Sequence, residues 1–220
     1  MPGWIHEHRK QISRIVVLIA LIGLVLYIAF WFASSTFGGS IEGTGFVDEQ
    51  RVITGSGNFD VDREDNIYFA AWNTQTIQIY DGHNNFLYAI DVSKDFATSG
   101  SSRIRILDDG TIEVFVVRPR IVLRYNKKGF LEERIEDEKY FSDGINNLPD
   151  IIEKNDAQYY LGSNIIYTVV KRVGDIETII FEMPFSQIMN KITFAIGICS
   201  FVLLAVVNSF CHYVEKRKKI

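Results

Sequence analysis

Apolar residues concentrate in two uninterrupted runs, and between the runs they alternate with polar ones. Ile15 to Ala33 and Ile192 to Phe210 are each 19 residues long and carry no charge. At about 1.5 Å per residue, such a helix spans roughly 28 Å, the thickness of a bilayer's hydrocarbon core. Both runs are expected to be transmembrane helices, and Pro184 suits a helix start ahead of the second. The first run ends in Phe30-Trp31-Phe32, rings that suit a membrane–water interface. It also exceeds the roughly 7–15 apolar residues of a secretory signal. An uncleaved anchor is the expectation, with cleavage after the small residues Ala33-Ser34-Ser35 as the alternative.

From Ser34 to Lys191 the pattern changes to strands. Ile67-Tyr68-Phe69, Ile77 to Tyr80, Thr111 to Val117, Ile121 to Tyr125 and Ile165 to Val170 are short, β-branched and aromatic. Turn formers separate them at Asp65-Asn66, Asp81-Gly82, Asp109-Gly110, Lys128-Gly129, Gly162-Ser163-Asn164 and Gly174-Asp175. No segment there sustains a 3.6-residue apolar period, and the charged stretch Glu132 to Asp143 reads as a solvated loop rather than a helical turn. The fold class expected is an all-β extracytoplasmic domain flanked by two transmembrane α-helices. Its parts are an N-terminal segment 1–14, a helix 15–33, a β-rich domain 34–191, a helix 192–210 and a basic tail 211–220.

An internal repeat organises the strands. The stretch from Phe59 aligns with that from Ile104, so that Ile67 falls on Ile112 and Tyr80 on Tyr125, each 45 residues apart. Phe86-Leu87 falls on Phe130-Leu131, 44 apart, and a weaker third copy starts near Ile151 with its acidic turn at Asn155-Asp156. The copies lie near 59–92, 104–135 and 151–182, each with room for four antiparallel strands, the size of one propeller blade.

The first copy carries Asp62, Asp65-Asn66-Ile67-Tyr68, Asn73, Ile77, Ile79-Tyr80-Asp81 and Phe86-Leu87. The second keeps Asp109-Gly110-Thr111-Ile112, Tyr125-Asn126 and Gly129-Phe130-Leu131. This pattern resembles the NHL-type and related β-propeller repeats. The resemblance implies four-stranded blades and no particular reaction, because propellers serve as binders, enzymes and scaffolds alike. Closed propellers have at least about four blades. Three copies imply either an open meander packed on itself or a gap closed by another chain, and residues 34–54, with Phe46-Val47 and Val52-Ile53, are the candidates for one extra edge strand. The free edge that remains points to a protein partner or a homo-oligomer.

Charge orients the chain. The termini carry seven bases (Arg9, Lys10, Arg14, Lys216, Arg217, Lys218, Lys219) against Glu7 and Glu215, whereas 34–191 holds 16 Lys/Arg and 25 Asp/Glu. Bases near span ends stay in the cytoplasm, so both termini are expected there and the 158-residue domain outside, in a multi-pass protein of the cell membrane. A domain this acidic argues against nucleic-acid binding. Its local basic cluster, Arg118, Arg120 and Arg124 around Pro119, reads as a solvated turn, with contact to anionic lipid or wall polymer as the sharper alternative. Cys199 and Cys211 lie in or beside the second span, which excludes a disulfide framework from the domain. With no N-glycosylation acceptor there either, a bacterial envelope fits better than a eukaryotic secretory route.

Candidate chemistry is sparse. Asp60, Asp62 and Glu64 have the spacing that opens a calcium loop, so they are the metal candidates. The sixth position of such a loop is Asp65 rather than Gly and the twelfth is Ala71 rather than Glu, which favours a strand-to-strand turn. His83 sits in the turn formers Asp81 to Asn85, and the neighbouring pairs Asp108-Asp109 and Glu132-Glu133 read as turn and surface residues. No catalytic set and no cofactor site is assigned. On the second span, Ala195 and Cys199 have small-xxx-small spacing, a packing face for another helix. The function expected is a membrane-anchored binding or scaffold module, with an accessory or sensor subunit, or an extracytoplasmic enzyme, as alternatives.

Overall fold

The computed structural model describes residues 9–35, 38–53, 58–71, 76–95, 102–163 and 166–217. Glu7, Asn73, Asn164, Ile165, Lys218 and Lys219 lie outside these residues. The chain divides into two compact units, a helical pair from both ends and a sheet domain over Ser34–Pro184.

The helical unit consists of α1 (Arg9–Ala33) and, after the sheet domain, α3 (Phe185–Arg217). Both contain segments long and apolar enough to cross a membrane, Gln11–Ala33 and Phe185–Val206. They pack antiparallel along a narrow seam. Val16, Ala20 and Gly23 are buried on α1, at alternating steps of four and three that keep one stripe facing the partner. Gln187, Asn190, Thr193 and Ser200 are buried on α3. Asn190 Nδ2 donates to the Tyr27 carbonyl at 2.9 Å, and the rings of Tyr27 and Phe194 lie 5.3 Å apart. At Gly23 a Cβ would sit 3.6 Å from both the Thr193 carbonyl oxygen and the Gly197 nitrogen, so the two backbones meet there. The outward surfaces, by contrast, present Ile15, Leu18, Leu21, Phe201 and Val206 uncovered. Small and polar inside, apolar outside, is the arrangement of helices paired in lipid.

Helix α3 begins seven residues before the apolar run, and Asn190, ahead of that run, turns inward to the Tyr27 carbonyl of α1. Ala195 and Cys199 are exposed, so the α1-facing stripe is a different one.

In the sheet domain, β1 (Phe46–Val47), β2 (Asn58–Val61), β3 (Ile67–Ala71), β4 (Thr76–Tyr80) and β5 (Phe86–Asp91) form the first sheet, in the order β1-β5-β4-β3-β2. Of the candidates for an added edge strand, Phe46-Val47 pairs with β5 (Phe46 opposite Ile90), whereas buried Val52 and Ile53 are no strand. Their segment is held by Gln78, whose amide accepts from the Arg51 N–H at 3.0 Å and donates to its carbonyl at 2.8 Å. The second sheet is β6 (Ser102–Ile106), β7 (Ile112–Val116), β8 (Ile121–Tyr125) and β9 (Leu131–Ile135); the third is β10 (Ile152–Lys154), β11 (Ala157–Ser163), β12 (Thr168–Val173) and β13 (Ile176–Glu182). Both run in sequence order, every neighbour antiparallel, and no sheet closes on itself.

Their hairpins share one chemistry. Asp62, Asp81 and Asn126 each accept the backbone N–H groups two and four residues on, at 2.8–3.1 Å. The residue completing each loop, Asp65, Asn84 or Gly129, takes positive φ. An Asx-type start and a left-handed finish let three-residue loops reverse the chain without losing register.

The first sheet is the middle layer. Its Ile77, Ile79 and Ile90 face Ile104, Val114, Ile121 and Leu123 of the second sheet. Alternation sends Phe69 and Tyr80 to the other face, where Phe181 of the third sheet lies 4.5 and 4.9 Å from their ring centroids. Strand β4 is therefore buried at all five positions, as sheets covered on both faces require.

The far face of the second sheet is covered by α2 (Glu138–Asn146), which corrects the solvated-loop reading of Glu132 to Asp143. That stretch divides between β9 and this helix. Asp137 caps it by accepting the Tyr140 N–H at 2.9 Å. Phe141 and Gly144 turn inward while the charges face water, and a Cβ at Gly144 would fall 2.2 Å from the Phe115 ring. Nine residues are too few for a helical period to stand out among so many charges.

The helix seam sets an order of sensitivity. Gly23→Leu should weaken α1–α3 pairing by about 1–3 kcal/mol, because it forces apart backbones in contact. Asn190→Leu should cost about 0.6 kcal/mol, the usual worth of one interhelical hydrogen bond in a membrane. Detergent-driven separation, followed by energy transfer between labels on the two helices, measures both. The seam is misassigned if Gly23→Leu is neutral.

Candidate binding groove

The run from Asn58 to Asn66 folds into the junction of all three sheets. Strand period places Asn58 and Asp60 on the face turned to the second sheet. There Asn58 Oδ1 accepts the Ile104 N–H at 2.6 Å and Asp60 Oδ2 accepts the Ile106 N–H at 2.5 Å. Alternate amides of edge strand β6 are thus satisfied by β2 side chains rather than by a neighbouring strand. Asp60 Oδ1 also accepts from Lys154 Nζ of the third sheet at 3.2 Å, and the same ammonium donates to the Val61 carbonyl at 2.6 Å and the Ile106 carbonyl at 3.1 Å.

The other acidic residues of the run point elsewhere. Asp62 spends its carboxylate within its own hairpin, on the N–H groups of Glu64 and Asn66, the Asn66 amide and the Tyr68 hydroxyl. Asp65 turns to the third sheet, accepting from the Tyr159 hydroxyl and Lys171 Nζ. Burial alone would raise the Asp65 pKa, but the bonds from Lys171 and Tyr159 outweigh it and hold the carboxyl below its ordinary value. Burial and then Asp65 push the Tyr159 hydroxyl up in turn. Glu64 is exposed. Asp60, Asp62 and Glu64 therefore aim in three directions, and among the described residues no three His, Cys, Asp or Glu side chains group to hold a metal ion.

The remaining sequence candidates find structural partners. The Asp81 loop holds exposed His83 by its backbone N–H, and Asp109 accepts the Thr111 N–H at 2.8 Å. Glu132 accepts from Asn126, and Glu133 pairs with Arg124 at 2.6 Å. Arg118 and Arg120 lie in the exposed turn between β7 and β8, as the turn reading expects, whereas Arg124 belongs to β8. Arg120 stacks over Phe141 and bonds Ser142 and Glu138 of α2, while Arg124 bonds Glu113 and Tyr140.

Sequence reasoning missed Glu113. It is fully buried, accepting from Arg105 and Arg124 and from the Tyr140 hydroxyl at 2.6 Å. Burial by itself would raise its pKa, but Tyr140, Arg105 and Arg124 hold it below the usual glutamate value. The signal lies in register, since Glu113 stands opposite Arg105 on one side and Arg124 on the other.

Between the first and second sheets, beside the β2–β3 turn, lies a groove of about 310 Å³. Tyr68, Tyr88, Ile106 and Leu107 line it together with Asp62, Glu64 and Asn66 from one turn and Asp108, Gly110 and Lys127 from the other sheet; Arg63 and Lys154 complete the lining. Arg63 and Asp108 make an exposed ion pair at 3.5 Å across it. Tyr88 stacks on Phe46 at 4.1 Å, its hydroxyl unbonded among the described residues. Burial, and then the Asp62 and Glu64 charges, push the Tyr88 hydroxyl pKa up.

Two changes test these networks. Lys154→Met strands a buried carboxylate and should cost about 3–5 kcal/mol in denaturant unfolding, with part recovered in the Asp60→Asn/Lys154→Met double variant. Because the folded Glu113 carboxyl is held below its unfolded value, its network stabilises fully above that value, near pH 4, and loses this as pH falls through the lower folded one. Glu113→Gln should therefore flatten the acid limb of stability against pH; an unchanged limb would remove Glu113 from the account. Compared with known protein families the chain matches none, and no curated protein matches it.

Proposed function

We propose that the chain is a membrane-anchored binding or scaffold protein whose sheet domain is displayed outside the cytoplasm. The observation that carries this reading is the groove, whose framework side chains are fixed by one another while rim groups stay unspent. Asp62, Asn66 and Lys154 are committed to the fold. Glu64, Tyr88 and Lys127 line the same space without a hydrogen bond from their side chains to any described residue. A preformed shape with a few free polar groups is what small-molecule and segment binding requires. The two apolar helices support the membrane attachment, and the basic termini support the orientation.

The three stacked sheets are read here as NHL-like blades that do not complete a propeller. Helix α2 covers the outer face at one end of the stack. At the other end Ile179 and the hairpin-tip pair Val173 and Ile176 are exposed, Ile176 by 72%. Those uncovered side chains favour a protein partner or a second copy on the third sheet, and with it the second reading, an accessory subunit of a membrane complex.

Single-cysteine variants made after replacing Cys199 and Cys211 test both parts. An impermeant reagent should label His83→Cys and Ile176→Cys from outside intact cells and should miss Lys10→Cys. A short crosslinker should carry Ile176→Cys, but not His83→Cys, to a mass above the 25.2 kDa of one chain. Labelling at Lys10→Cys would overturn the orientation, and a chain that stays monomeric from both sites would overturn the partner surface.

A further inference from the structure

We infer that the groove between the first two sheets takes a small zwitterion, an amino acid or dipeptide-sized molecule carrying an ammonium at one end and a carboxylate at the other. This deepens the binding reading above and rests on it. Glu64 sits on the β2–β3 turn beside Tyr68 and Tyr88, and its carboxylate is unspent. An alkylammonium placed there would meet a carboxylate, a free hydroxyl and an aromatic ring, the three groups that bind such a cation best. Lys127 belongs to the second sheet's β8–β9 turn, and its stem packs over Gly110, where a Cβ would approach it to 2.7 Å. That contact places the Lys127 ammonium at the opposite wall, in the field of Asp109 but with no ion pair among the described residues, where a carboxylate can meet it.

Other ligand classes fit less well. A bare metal ion would need Asp62, whose oxygens already take four donors. A simple anion would meet Asp62 and Glu64, and a simple cation would meet Lys127 and Arg63. At about 310 Å³ the space is at the small end of ligand sites and suits one or two amino-acid units. Its ends come from turns of two different sheets, so ligand length is measured against the spacing of those sheets.

Calorimetry on the full chain in nanodiscs tests this with alanyl-alanine, its N-acetyl form and its C-terminal amide. Alanyl-alanine should bind at least about tenfold more tightly than either capped form. Glu64→Gln should weaken alanyl-alanine by about tenfold and leave the acetyl form unchanged, whereas Lys127→Met should do the same with the amide unchanged. Thermal melting confirms that both variants stay folded, as expected for exposed side chains. Equal affinity for the capped forms, an amide that binds best, or no heat up to about 10 mM ligand would each overturn the inference. If no probe binds while Ile176→Cys still crosslinks, the groove's ligand class falls and the scaffold reading stands. Chemical turnover of a probe would remove the binding-module reading itself.

Discussion

Three sheets that never close leave edge strands facing the interior, and the backbone groups on those edges must find partners away from water. Strands β2, β6 and β10 meet at this problem. Asn58 and Asp60 answer it for β6 by accepting alternate amides, and Lys154 answers it for the carbonyls of Val61 and Ile106. The Asp60–Lys154 pair is more than an ion pair, because each member also satisfies backbone on another sheet. A buried charge pair of this kind adds little over a well-packed apolar substitute, yet losing either partner is costly. In the structure it joins β2, β6 and β10, one strand from each sheet.

The same turn that builds this junction builds the groove. Asp62 closes the β2–β3 hairpin and orients Tyr68; Asp65, in left-handed backbone, reaches the third sheet; Glu64, between them, is left facing water. One short acidic run therefore divides its carboxylates among joining sheets, closing a loop and lining a cavity. The division follows from geometry, since strand alternation ends where the loop begins.

The helical pair solves the opposite problem. Where the surroundings are apolar, burying Leu or Ile between helices gains nothing over leaving it outside. Close backbone approach and hydrogen bonds hold such helices together instead. Gly23 against the Thr193–Gly197 backbone supplies the first, and Asn190 to the Tyr27 carbonyl supplies the second. In the sheet domain the apolar side chains have water to escape, and the buried carboxylate of Glu113 is held in a network of three donors.

By itself the sequence determined what local period and loop chemistry determine. Two charge-free runs gave the helices, β-branched stretches between Asp, Asn and Gly loops gave most strands, and Phe46-Val47 was recognisable as an added edge strand. Where local pattern conflicted with its environment, reading failed. Asn190, left outside the span by the 192–210 bounds, lies on the inner seam of the helix pair; the charges of Glu138 to Asp143 hid a helix whose apolar stripe is only a few residues wide. The roles of Asp60 and Lys154 were decided by tertiary structure alone. Each is a charged residue in a strand, which period-two patterning can assign to a face but not to a partner. Their partners sit on strands up to 94 residues away, brought near only by the stacking of whole sheets. The groove is of the same kind, since its two walls come from different sheets and no segment of the chain contains both.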